Sequence, residues 1–99
     1  MITIPDIQFA VASEFSVSMA DMVERQRSAR IARPRQVAMY LSRLLTGQKF
    51  VAIASHFGDR HHTTIIHAIN RVGWFIEEDM TFASIVAGLE YRLRGMRDA

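Results

Sequence analysis

Cysteine is absent from this 99-residue chain, which closes off disulfide frameworks and thiolate chemistry. That absence fits a reducing cytoplasm. Glycine and proline are sparse, at five and two residues, and neither repeats nor low-complexity stretches appear. No window approaches the roughly 18 consecutive apolar residues of a membrane span. The opening MITIPDIQFAV lacks a basic leader and a small-residue cleavage site, so export is not expected. A G-x-x-x-x-G-K-[ST] phosphate loop is missing, which argues against nucleotide binding of that kind. The chain also lacks H-E-x-x-H and any serine–histidine–acid set in a recognisable context, so neither an enzyme nor a metal protein is expected. No convincing alternating strand pattern is found. What is present is an apolar fraction of 49%, enough for one folded domain with a single core.

The net charge is only +2, but it is unevenly spread. From Arg25 to Gly58 there are seven basic residues (Arg25, Arg27, Arg30, Arg33, Arg35, Arg43 and Lys49) and no acidic one. Six of the seven are arginine, whose planar fork matches phosphate. Asp6, Glu14, Asp21 and Glu24 precede this zone, and Glu77-Glu78-Asp79 follow it. Such polarity suits a polyanionic partner; a solvated cationic surface is the plainer alternative.

Helical spacing dominates the apolar pattern. Pro5 suits a first turn, with Ile7, Val11 and Phe15 along one face. Ser18 and Asp21 have capping-box spacing before a short helix, whose apolar side is Met19 and Met22. QRSARIA reads as an arginine-studded loop, and Pro34 marks the next helix start. Val37, Tyr40, Leu41, Leu44 and Leu45 form its buried stripe, with Met39 also counted as core, and Thr46-Gly47 ends it. A short helix carries Phe50, Ile53, Ala54 and Phe57 up to Gly58. After a turn of about three or four residues, a longer helix carries Ile65, Ile66, Ile69, Val72 and Ile76. A last helix places Ile85, Leu89, Leu93 and Met96 on one side. The expected fold class is therefore all-α, with about six helices.

Two helices joined by a tight glycine-containing turn describe a helix-turn-helix. Helical hairpins are common, so the polar opening of the second helix carries the weight. Arg60, His61, His62, Thr63 and Thr64 are all hydrogen-bonding, and the apolar series begins only at Ile65. Short polar side chains at a helix N-terminus can reach base edges, while the terminal amides favour phosphate.

The string ARPRQVAMYLSRLLT followed by FGDRHHTTIIHA resembles the C-terminal DNA-binding domain of the bacterial replication initiator DnaA. Family members carry RPRQ-x-A-M-Y-L and then GGRDHTTVLHA. The opening ITIPDIQFAVASEFSVSMADMVERQRS resembles the family's first helices and basic loop, so the likeness covers nearly the whole chain. It implies a fold related to that of the Trp repressor that binds double-stranded DNA at a short asymmetric site, the DnaA box; with no heptad or other dimer seam evident, binding as a monomer is expected. By this resemblance Arg27 enters the minor groove, while Arg35, Gln36 and Arg43 hold phosphates. Arg60 belongs to the same signature, His62 and Thr63 read bases, and Thr64 meets a base edge or the nearby backbone. Arg71 keeps a basic charge on the recognition helix, whereas Asn70 stands where the family is usually basic. No cofactor, metal or membrane contact is implied, and the setting would be the nucleoid in the cytoplasm. The initiator itself or its regulators are further candidate partners. An excised domain and a stand-alone relative acting in replication or transcription both remain open. So does an adaptor that keeps the fold and binds protein through its last helix.

Two departures stand out. Asp59 replaces the second glycine of the turn and is read as capping the helix that follows, with a carboxylate near the DNA as the alternative. His61 replaces an aspartate that reads a base in the family. A carboxylate accepts from cytosine's amino group, whereas histidine can donate or accept, so the base it prefers is left open. Among the remaining residues, His56 is expected at the solvent edge and His67 as packed or hydrogen-bonded support. Trp74 is expected in the core, with base stacking as the alternative, and Glu77-Glu78-Asp79 at a solvated helix end or turn.

Overall fold

The computed structural model describes residues 1–24 and 28–98. Its elements are α1 (Ile4–Phe15), a 3-10 turn (Ala20–Met22), α2 (Ala29–Thr46), α3 (Phe50–Ser55), α4 (His62–Glu78) and α5 (Met80–Asp98). All are helical, so the all-α expectation holds, with five α-helices and one 3-10 turn.

Local chemistry sets most of the boundaries. Thr3 and Asp6 form a reciprocal capping box at the start of α1, and Pro5 sits in the first turn where no amide is needed. Ser18 and Asp21 form a second such box, at 2.8 and 3.1 Å, ahead of the 3-10 turn. Each donated backbone amide holds the accepting Asp6 or Asp21 carboxyl below the usual carboxylate range. Gly47 ends α2 in the left-handed region, at φ 65°. Asp79 closes α4 and accepts from the Phe82 amide at 3.0 Å, so one acidic residue joins α4 to α5.

The structure corrects the expected start of α2. ARIA is helical, not part of a loop, and Pro34 lies inside the helix. The ring removes the bond that would reach the Arg30 carbonyl, near an exposed first turn where water can replace it. Pro34 itself is buried, which offsets that loss.

Ile7, Val11, Met22, Val37, Leu41, Ile53, Phe57, Ile65, Val72, Leu89 and Leu93 meet in one core. Each such side chain contributes about 1.5–3 kcal/mol by leaving water. α2 lies centrally, against α1 on one side and α4 on the other, while α3 packs on α4 and α5 closes over α1 and α4. The buried Gln8 amide donates to the His56 carbonyl at 2.8 Å, tying α1 to the end of α3.

Several side chains depart from expectation. Met22 and Met39 are buried, but Met19 is 40% exposed. Trp74 is 52% exposed, because adjacent helix positions point about 100° apart and Phe75 takes the inward one. On α5 the buried series is Phe82, Val86, Leu89 and Leu93; Met96 is exposed. The stripe lies further toward the N-terminus than expected because α5 begins immediately after Asp79.

Candidate nucleic-acid interface

The α3–α4 connection is built around two left-handed residues, Gly58 at φ 82° and Asp59 at φ 54°. At Gly58 a β-carbon would fall inside contact distance of the Val23 carbonyl oxygen. Glycine is therefore needed twice here, for its backbone angle and for the close approach of the segment after the 3-10 turn. Asp59 is not the cap of α4. Its left-handed backbone takes it out of that position, and His61 occupies the cap in extended conformation. The connection runs from His56 to His61, longer than expected, because α3 ends at Ser55.

Arg60 folds back over this turn. Its Nε donates to the Phe57 carbonyl at 2.8 Å and its Nη2 to the Glu24 carbonyl at 2.7 Å. Arg35 reaches the same place from α2, donating through Nη1 to the Asp21 carbonyl at 3.2 Å and also to that of Glu24. Arg35 is only 6% exposed; burial lowers its pKa, and nearby Asp21 opposes the shift. Two guanidinium groups thus converge on the carbonyl of Glu24. This convergence fixes the segment after the 3-10 turn against both α2 and the helix-turn-helix turn.

At the tip of α4, His61, His62 and Thr63 are exposed and Thr64 is half-buried. His61 Nδ1 accepts from the Thr63 amide at 3.2 Å and lies 2.8 Å from the Thr63 hydroxyl. The rings of His61 and His62 stand 4.3 Å apart, tilted by 31°. Behind them a shallow cleft between α2 and α4 is lined by Gln36, Arg60, Thr64 and His67, among others. His67 is exposed on its rim, which corrects the expectation of a packed support. The cause is its place on the outward line of α4, with Thr63, Asn70 and Trp74.

Arg71 is exposed, with its guanidinium 4.9 Å from the Phe75 ring centre, and Arg33 covers the same ring at 3.8 Å. Arg33 was missed by site reasoning from sequence; its position three residues before Gln36 on α2 was the available signal. Arg43 stands apart at the α2–α3 corner. It donates to the Gln48 carbonyl at 2.7 Å and lies 4.6 Å over Phe50. Arg27 lies outside the described residues. His56 is exposed at the far end of α3. Among the described residues no three His, Asp or Glu side chains converge as a metal-binding set.

Residues 4–72 match the family model described as the bacterial DnaA protein helix-turn-helix. The chain belongs to this DnaA helix-turn-helix family. The chromosomal replication initiator protein DnaA of Gluconobacter oxydans (strain 621H) is 42% identical over 94 residues, covering 95% of this chain and 20% of that protein. The protein of the same name from Rickettsia bellii (strain OSU 85-389) is 45% identical over 80 residues, covering 81% of this chain and 17% of its own length. This DnaA-family chain therefore spans about a fifth of the curated relatives it matches. A crystal structure titled as a DNA replication initiation factor superposes at a TM-score of 0.81 with 32% identity, over 91% of this chain and 27% of that one. Within the DnaA family, the turn at Gly58 and the α4 tip both lie inside the matched segment.

Proposed function

We propose that this chain is a single domain that binds double-stranded DNA sequence-specifically at a DnaA-box-like site, and serves in replication initiation or its control. The observation that carries the reading is the α4 N-terminus. It presents three exposed hydrogen-bonding side chains, His61 to Thr63, at the end of a helix whose opposite face is locked into the core. Such a tip can enter a major groove of about 12 Å width without moving the domain.

In this reading His61, His62 and Thr63 meet base edges, with Thr64 at the rim of the groove. Gln36 and Arg71 meet phosphates on either side, and Arg43 meets one further along α2. Arg27 reaches the minor groove, where a narrow A·T tract attracts arginine. The bonds of Arg35 and Arg60 to Glu24 hold the basic segment's entry point against the reading helix, so both are assigned to the site through that placement. The family membership and the replication initiators among the relatives support this assignment. The domain binds as a monomer on an asymmetric site, acts at the nucleoid and performs no chemistry of its own. Among the described residues no helix is long and apolar enough to cross a membrane.

The test is a titration of a labelled duplex carrying an initiator box, against a permuted control, over a range of salt. With about six phosphates engaged, log affinity falls with log salt at a slope of about −5. The box should bind at least about a thousandfold more tightly than the control. A flat salt dependence, or equal affinity for both duplexes, would overturn the proposal.

A further inference from the structure

What the first residue of the α4 tip can offer to a base follows from a hydrogen bond within the protein. His61 is the N-cap of α4, and its Nδ1 accepts from the Thr63 amide. An amide N–H can only donate, so Nδ1 must be the unprotonated nitrogen of the ring. The Thr63 hydroxyl, 2.8 Å from the same nitrogen, then turns its proton toward it as well. In a neutral imidazole the single ring proton is consequently on Nε2. His61 is exposed, with the His62 ring 4.3 Å away. The cap therefore fixes the tautomer, and the tautomer fixes what the side chain can offer to DNA.

We propose that His61 is a specificity-determining residue that presents a fixed donor, Nε2–H, to the major groove and rejects cytosine at the base it meets. This inference rests on the duplex-binding reading above. Guanine, adenine and thymine each show an acceptor in the major groove, while cytosine shows only the N4 amino donor. A donor facing cytosine would leave two donors opposed and desolvated, whereas a donor facing any other base can be satisfied. A carboxylate at this place would have the opposite character, since it only accepts, and would favour cytosine. The Thr63 hydroxyl, with its proton directed to His61, is left with lone pairs for an amino group on the neighbouring base.

Two measurements test this. In the free protein, 15N shifts of the imidazole nitrogens at mildly alkaline pH should show His61 as the Nε2–H form. A Nδ1–H form would overturn the proposal without any DNA present. Selection from a random duplex library should then show, for wild type, cytosine depleted at one position of the enriched site. His61→Asp, which keeps a strong cap, should favour cytosine there, each preference being about tenfold or more. His61→Asn, which offers donor and acceptor together, should largely lose the discrimination. Cytosine preferred by wild type, or one preference shared by wild type and His61→Asp, would refute the role of His61 while leaving DNA binding intact. If no duplex is enriched at all, the duplex-binding reading fails and this inference falls with it.

Discussion

Arginines on the two sides of this molecule are used in different ways. On the α1–α5 side they face carboxylates: Arg92 pairs with Glu14 at 2.6 Å, and Arg94 with Glu90 at 2.8 Å. Around α2, α4 and their turns they face carbonyls and rings. Arg35 and Arg60 share the Glu24 carbonyl, Arg43 covers Phe50, and Arg33 and Arg71 cover Phe75. A carboxylate cancels the charge it holds. An aromatic face orients a guanidinium without cancelling its charge, so Arg33, Arg43 and Arg71 keep an ordered positive charge of the kind a polyanion requires, whereas the ion pairs of the first side set charge against charge.

The largest test of this contrast is at the turn. Gly58→Val introduces a β-branched side chain at φ 82° and against the Val23 carbonyl. It should cost about 3 kcal/mol or more, read by thermal or urea unfolding. A near-neutral result would show that the turn and the 3-10 segment are not locked together. Next comes a matched pair. Arg35→Met leaves the Asp21 and Glu24 carbonyls without this donor in a buried place and should cost about 2–4 kcal/mol. Arg94→Met, at a partly exposed ion pair, should cost about 0–1 kcal/mol. Equal losses would erase the distinction between the two sides.

Smaller effects separate reading from holding. Thr63→Val keeps the methyl and removes the hydroxyl, and should relax base preference at one position by about 1–3 kcal/mol. Arg71→Gln should weaken all duplexes alike and reduce the salt slope by about one. Competition among single-base variants of the selected site distinguishes the two patterns. The smallest effect is that of pH. Asp6 and Asp21 have folded-state pKa values below their unfolded ones, so their stabilisation is present above the ordinary carboxylate range, near about 4, and fades as pH falls through the lower folded value. Ser18→Ala should shift the acid-unfolding midpoint slightly upward. Because Asp21 is only half-buried, an unchanged midpoint would mean that water replaces its box.

The helices that carry the site were legible because their signals are local. The apolar spacing of α4, the Thr46-Gly47 stop and the Ser18/Asp21 box each act within a few residues. The uncertain parts depended on distant neighbours. Pro34 signalled a helix start, yet the five helical residues before it, Ala29 to Arg33, and burial of its own ring outweighed that signal. Arg35 looked like a surface cation, and only the fold brings two carbonyls over it from the segment before the basic loop. Trp74 and Phe75 are adjacent apolar residues on a helix, and sequence could not say which one faces inward. His61 was the least readable, since a histidine cap uses a ring nitrogen where serine, threonine, aspartate or asparagine usually supply oxygen.

The central claim is that DNA meets the α4 tip and the α2–α4 seam, not the α1–α5 wall. Amide and side-chain NMR shifts of the labelled chain, recorded on adding a box duplex, test it directly. The expected result is a cluster at residues 60–67, Gln36 and Arg71, with Phe9, Leu89 and Met96 unmoved. A cluster on the α1–α5 side, with the α4 tip silent, would contradict the account and favour an adaptor that keeps this fold for another partner.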